Sequence, residues 1–317
     1  MTPRCQFLLA DRMAQVAQGL AHTDRPVKFV VNVGDNFYPS GVTGVDDQVW
    51  ETEFGQVYKG LPEGLPWYGV YGNHDYGQYN FGCICELGDA GDTDGSTDGR
   101  QTCAQVQKHK SRHGGQQWYM PAMSYYASPL PGINLEVIAL DLNSIDDGRI
   151  CTWIACNRDK CHESESRHRA SDGKPCNMGR CRAVLRKRAD AAIRLLKARV
   201  DAAEASGTQL IVVTHYPSNW IAGMRAGRDA VSELLQNPNV HVVFFGGHVH
   251  STDNTSNVQR AFQRPGWHDY CVGGGGGWAC DGPQGFVVGE VLDNGRVANL
   301  RFEMMANRDC CMPNPRG

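Results

Sequence analysis

The chain has 317 residues, 41% of them hydrophobic and 21% charged, with a formal net charge of −3. This length admits one large domain or two small ones, and the composition suits a globular chain that buries a core. So small a net charge gives no global field for nucleic acid or an anionic membrane surface, and no apolar run approaches the roughly 18 residues of a membrane span.

In chain order, Leu9, Met13, Val16 and Leu20 recur at helical spacing and predict a helix over 6–21. An apolar strand over 27–33 follows and stops at Gly34, with Asp35 and Tyr38 just beyond. Val49, Trp50, Phe54 and Val57 read as a short amphipathic helix over 46–59, ended by Pro62 and Pro66. A second strand over 67–71 delivers Gly72-Asn73-His74-Asp75. Residues 77–120 hold many Gly, Asp, Gln and Ser with little periodicity and read as a long irregular insertion; their acidic run lacks the spacing of a calcium loop. A strand over 134–140 comes next, then a second Cys-rich, basic insertion over 149–181. Leu185, Ala189, Ala192, Ile193, Leu196 and Val200 line one face of a helix over 182–204. A strand over 208–214 ends at His215, a short helix covers 230–235, and a strand over 241–245 ends at Gly246-Gly247-His248-Val249-His250. Strands over 285–292 and 296–304 form a hairpin around Asp293-Asn294-Gly295. The economical reading is one α/β domain over 1–317, two sheets face to face with helices outside.

Thirteen cysteines suit an oxidising compartment and disulfide-stapled loops. The count is odd, so at least one thiol is free or pairs outside the chain. Cys151, Cys156, Cys161, Cys176 and Cys181 admit a zinc site or disulfides, and their wide spacing favours disulfides. Cys271 and Cys280 flank the five glycines 273–277, which lack a following Gly-Lys-Ser/Thr and read as a flexible loop beside the site. Residues 149–199 carry fourteen Lys/Arg against five Asp/Glu, more in keeping with a solvated helix face than with an anion funnel.

The chemistry sits at four strand ends: Asp35 and Tyr38, Asn73 and His74, His215, and His248 with His250. Open α/β sheets place ligand sites there, and this donor set suits iron, zinc or manganese. In an extended Val-flanked pair the rings of His248 and His250 point opposite ways, so a backbone turn is needed, which the two preceding glycines make cheap.

The ordered set GDNFY, GNHD, THYP and GGHVH resembles the calcineurin-like metallophosphoesterases, and among them the small purple, tartrate-resistant-type acid phosphatases, over residues 6–80, 124–142 and 182–292. The resemblance implies a four-layer α/β/β/α sandwich of two mixed sheets flanked by helices. It implies a dinuclear centre, Fe(III) with Fe(II), Zn(II) or Mn(II). Asp35 would bridge, Tyr38 and His250 would hold the ferric ion, and Asn73, His215 and His248 the divalent one. His74 would protonate the departing alcohol, with Asp75 orienting its ring. The implied activity is hydrolysis of small phosphate monoesters, which two cations promote by binding the dianion and stabilising charge in an in-line displacement. The expected protein is a secreted or vacuolar monomer, without nucleic-acid or membrane partners, whose signal segment lies upstream of the residues read here.

One part of the family pattern is missing. A strand ending in Gly-Asp-Trp-Gly, whose Asp is a ferric ligand, belongs before the first helix and is not found in this chain. Asp11 is either a solvent-facing helix residue or, if 7–10 were a strand, a substitute; the helical spacing favours the former. The expectation is a gap or an exposed sheet edge, a ferric side with three ligands, one of them shared, tighter binding of the divalent ion, and weak or no activity.

Overall fold

A computed structural model of the chain describes residues 4–76, 83–84, 103–111, 117–155, 176–222, 228–253, 268–276, 282–305 and 310. The expected first helix, α1 (Arg4–Ala21), buries Leu9, Ala10, Ala14 and Ala17 and leaves Asp11 exposed. A strand over 7–10 ending in a ligand at Asp11 is thereby excluded.

Strands β1 (Val30–Val31), β2 (Pro66–Tyr68) and β3 (Gln117–Tyr119) form a parallel sheet in that order. A six-stranded mixed sheet holds β4 (Tyr125–Ala127), β5 (Leu135–Leu140), β6 (Gln209–Thr214), β7 (Val242–Gly246), β8 (Thr252–Asp253) and β9 (His268–Val272), in the order β4-β5-β6-β7-β9-β8. Its inner pairs are parallel and its two outer pairs antiparallel. β10 (Gln284–Val291) and β11 (Val297–Met305) form the expected hairpin, with Gly295 left-handed at φ 81° in its turn.

Alternation along the central strands builds two cores. Val137, Ala139, Ile211, Val213, Val243 and Phe245 face a core shared with the smaller sheet and the hairpin, which contribute Trp67, Tyr68, Val287 and Leu300. Ile138, Leu140, Leu210, Val212, Val242 and Phe244 face the helices on the other side. Those helices are α4 (Met178–Ser206), through Ala189, Ala192, Leu196, Val200 and Ala203, and α6 (Arg228–Leu235), through Val231 and Leu235. Strands covered on both faces read as continuous apolar runs, which is why β5 is buried at all six positions. The Asn177 side chain accepts from the Arg180 amide to start α4, and left-handed Gly207 ends it.

Three expectations are corrected. The first insertion is not irregular throughout: it contains α2 (Ala104–Ser111) and β3, which buries Trp118 beside Trp50 and Phe54. The second contains α3 (Asp147–Ala155) and the start of α4, because Ile150, Cys151 and Ile154 recur at helical spacing and are buried. Residues 46–59 give one wide, π-type turn at Trp50–Gly55 in place of a regular helix, with the Gln56 amide bonded to the Glu51 carbonyl.

The smaller sheet also differs from a continuous layer. Only Val30–Val31 of the expected 27–33 strand is paired as a ladder, and among the described residues β1 pairs only with β2. On its other side lies a cleft of about 1500 Å³, walled by Val31 and Val33, by Val287 and Val291 of β10, and floored by Ile211 and Phe245. The ion pairs Arg12–Glu303 and Arg25–Glu290 span from α1 and its following loop to the hairpin.

Disulfides join Cys5 to Cys310, Cys83 to Cys103 and Cys151 to Cys181, and Cys176 is also disulfide-bonded. Of the cysteines weighed for zinc, Cys156 and Cys161 lie outside the described residues, as does Cys280. The Cys151–Cys181 bond ties α3 to α4 across 30 residues. Replacing both cysteines by alanine is expected to cost about 2 to 3 kcal/mol through the freer unfolded chain. A urea titration of the oxidised protein measures it, and an unchanged midpoint would show that helix packing alone fixes α3.

Candidate metal centre

The four clusters lie where β1, β2, β6 and β7 end. Asp35 has a left-handed backbone at φ 52°, and so does His248 at φ 66°. For residues bearing a Cβ this costs roughly 1 to 2 kcal/mol each, and such strain persists where the surroundings impose it. The turn needed between His248 and His250 is therefore made at His248. The preceding glycines serve close packing instead: a Cβ on Gly246 would lie 2.7 Å from Pro217 Cα, and one on Gly247 2.7 Å from Val33 Cγ2. Within the glycine run Gly273, Gly274 and Gly276 are likewise packed, a Cβ on Gly273 standing 2.1 Å from the Val249 carbonyl oxygen, whereas a Cβ on Gly275 would meet nothing within 4 Å. Flexibility does not explain the packed positions.

The structure brings together all six side chains named as ligands, in two groups that meet at Asp35. In one, Asn73 Oδ1 lies 2.9 Å from His215 Nε2 and 3.0 Å from His248 Nδ1, and the two imidazole nitrogens are 3.2 Å apart. Asp35 Oδ1 is 3.4 Å from the same His215 nitrogen. In the other, the Tyr38 hydroxyl donates to Asp35 Oδ2 at 2.9 Å and stands 3.2 Å from His250 Nε2. The two oxygens of one carboxylate thus face two separate donor groups.

These donors fit a cation. His215 Nδ1 lies 2.9 Å from the Val33 carbonyl, which can only accept, so that nitrogen carries the hydrogen. In a neutral ring Nε2 is then a lone pair. It faces an amide oxygen, a carboxylate oxygen and another imidazole, and few protons are available to reconcile them. A positive ion among them satisfies the set, and the carbonyl bond that fixes the ring is the kind that orients metal-binding histidines. Ligand atoms of Asp35, His215 and His248 all lie within 4.8 Å of one another.

The electrostatics agree. Burial alone would raise the Asp35 carboxyl, but His215, His74, the His74 amide and the Tyr38 hydroxyl together hold it below its ordinary value. Burial, and then His215, push His248 down to about 3, leaving its ring neutral and able to ligate. Burial and the charge of Asp35 raise Asp75 to about 7 against the pull of the Gly72 and Asn36 amides.

His74 stands over this centre, its amide donating to Asp35 Oδ1 at 2.9 Å and its ring 4.5 Å from that of Tyr38. Its Nδ1 lies 2.7 Å from the Pro39 carbonyl, so Pro39 supplies the orienting contact expected of Asp75. The Asp75 carboxylate instead accepts from the amides of Gly72, Asn36 and Phe37 and from the side chains of Asn36 and Gln105, locking the two metal loops together. Gln105, fully buried on α2, was hidden in what reads as irregular sequence. Its only signal is its place one turn before Lys108 on a short helix, too weak to single it out.

A family model described as calcineurin-like phosphoesterase matches residues 9–252. The chain belongs to that family. Within curated proteins this phosphoesterase is 41% identical to purple acid phosphatase 7 of Arabidopsis thaliana over 71 residues, 22% of the chain and 20% of the relative. It is 36% identical to tartrate-resistant acid phosphatase type 5 of Oryctolagus cuniculus over 76 residues, 23% of each. The matched stretches thus span about a fifth of the length of these relatives. Among solved structures, a dimetal phosphatase from Danio rerio aligns over 90% of the chain and 82% of its own, with 16% identity and a TM-score of 0.48.

Proposed function

We propose that this phosphoesterase is a dinuclear phosphatase that cleaves phosphate monoesters at acid pH. The observation that carries the reading is the convergence on one carboxylate of two donor groups of different character. Asn73, His215 and His248 would hold a divalent ion, Fe(II), Zn(II) or Mn(II), and Tyr38 and His250 a ferric ion, with Asp35 shared. When bound, such a pair supplies anion binding, a hydroxide nucleophile at mild pH and charge stabilisation in the displacement. The chain's own part is positioning: Asp35 is fixed by the His74 amide and Tyr38, His215 by the Val33 carbonyl, and His74 by Pro39. His74 lies beside the shared carboxylate and would give its proton to the departing alcohol oxygen. The disulfides suit the oxidising, secreted or vacuolar setting expected of this chemistry. One domain spanning the chain, acting as a monomer on small phosphorylated substrates, is part of the same proposal.

The cleft beside β1 favours a second reading, a non-catalytic homologue with an incomplete ferric side. It opens onto Asp35, Tyr38, His215, His248 and His250, of which Asp35, Tyr38 and His250 would stand on the ferric side, one of them shared. Metal analysis of the purified protein, with p-nitrophenyl phosphate hydrolysis before and after chelation, separates the two. Two tightly held metals per chain and chelator-sensitive turnover support the enzyme. One divalent ion per chain, no visible charge-transfer band and no turnover support the incomplete site.

A further inference from the structure

Two tryptophans border the candidate centre from different elements, and neither is among the residues that would hold metal. Trp153, on α3, has its ring 5.2 Å from that of His74. Trp220, on α5 (Ser218–Ala222), has its ring 4.6 Å from that of His248 and stacks on Tyr216 at 5.8 Å. Trp220 remains 38% exposed. Arg149 lies one turn before Trp153 on the same face of α3. Its side chain is 54% exposed, contacts Asp146 at 3.6 Å, and is near enough for its charge to be felt at His248. The α3 face next to the site therefore carries a cation and an indole, and the α5 side carries a second indole.

We propose that Trp153, with Arg149 and Trp220, forms a rim that selects phosphate monoesters of planar aromatic alcohols. The inference rests on the phosphatase reading above and names its substrate class. If His74 meets the ester oxygen, whatever group is attached directly to that oxygen lies against Trp153. An aromatic ring there stacks on the indole, while an alkyl or sugar carbon does not. Offset or edge-to-face contact between rings adds a few-fold to roughly tenfold in affinity beyond the area it covers. The Arg149 guanidinium, one turn before Trp153, would attract the dianion and lie over the same ring. α3 is held in place for this by the Cys151–Cys181 bond beside Trp153.

The test compares binding of two phosphonates that cannot be hydrolysed, so it does not depend on leaving-group reactivity. Benzylphosphonate mimics phenyl phosphate, and cyclohexylmethylphosphonate has the same size without the aromatic ring. Both, and inorganic phosphate, are titrated calorimetrically into the full chain loaded with zinc or manganese. Benzylphosphonate is expected to bind about three- to tenfold more tightly than its saturated counterpart. In Trp153→Leu that ratio falls to near one; the ratio within each variant cancels changes in phosphate affinity. Trp220→Leu, made separately, is expected to lower the ratio less, and it keeps the test open if the first variant does not fold. A wild-type ratio near one overturns the aryl rim, and a ratio retained in Trp153→Leu removes that residue from it. If inorganic phosphate itself fails to bind the loaded protein, the phosphatase reading falls first, a result distinct from phosphate binding without aryl preference.

Discussion

Gly72→Ala is expected to empty the metal centre and destabilise the chain together. A Cβ at position 72 would stand 2.2 Å from Asp35 Oδ1 and 2.3 Å from the Asp35 backbone nitrogen. Neither atom is the loose end of a side chain. The amide belongs to a residue held in the left-handed region, and the carboxylate is fixed by Tyr38 and the His74 amide. The reverse approach is equally tight, since a Cβ on Gly34 would lie 2.7 Å from the Gly72 nitrogen. Relief requires the two loops to separate by something near an ångström. Overpacking of this kind costs about 3 kcal/mol or more, and a displacement of about 1 Å at a reacting centre costs on the order of a hundredfold. Expected, then, are a clear drop in urea midpoint and a fall of at least about a hundredfold in metal affinity and in any phosphatase turnover. Gly44→Ala is the control, because a Cβ there meets nothing within 4 Å. If Gly72→Ala binds metal as the parent does, the contact between these loops is not what shapes the site.

That contact illustrates which parts of the molecule can be read from residue order. The convergence of Asp35, Tyr38, Asn73, His215, His248 and His250 is legible because each lies just past an apolar run, and polar side chains where a strand stops are a local signal. The central strands and α4 are legible because burial on both faces, or along one stripe, writes a period into the residues. Short pieces such as β3 and α2 carry too few periods to show, so they merge with the loop residues around them. Buried polar residues are the hardest, since Gln105 and Arg188 look like surface residues until a distant partner satisfies them. The glycines were visible as glycines, but their reason was not. A turn and a close approach leave the same letter, and only the neighbours at Val33, Pro217 and Val249 decide between them.

Arg188 is the polar residue with the most to lose. It lies on α4 at 4% exposure, and one arm of its guanidinium donates to the Tyr76 hydroxyl at 2.9 Å while the other donates to the Cys83 carbonyl. Tyr76 in turn donates to Asp141, whose other oxygen accepts from the amide and side chain of Asn143 at 3.0 and 2.8 Å. Asn143 also donates to the Tyr71 carbonyl and accepts from the Tyr216 hydroxyl. The chain of bonds thus runs from a helix behind the sheet to residues adjoining both Gly72 and His215. Arg188→Leu leaves the buried Tyr76 hydroxyl and the Cys83 carbonyl without this donor. Leaving buried polar groups without a partner costs about 1 to 3 kcal/mol each. Because Tyr76 follows directly on His74-Asp75, metal affinity is expected to fall about 10- to 100-fold as well, the scale seen when groups that orient ligands are removed. Arg188→Lys keeps the charge without the two-armed geometry and is expected to recover only part of either loss. Arg186→Ala, on the exposed face of the same helix, is expected to stay within about 0.5 kcal/mol of the parent. Urea unfolding and metal titration of the three variants check the ranking. Were Arg188→Leu to unfold at the parent's midpoint, the buried guanidinium would not be what joins α4 to the metal loops.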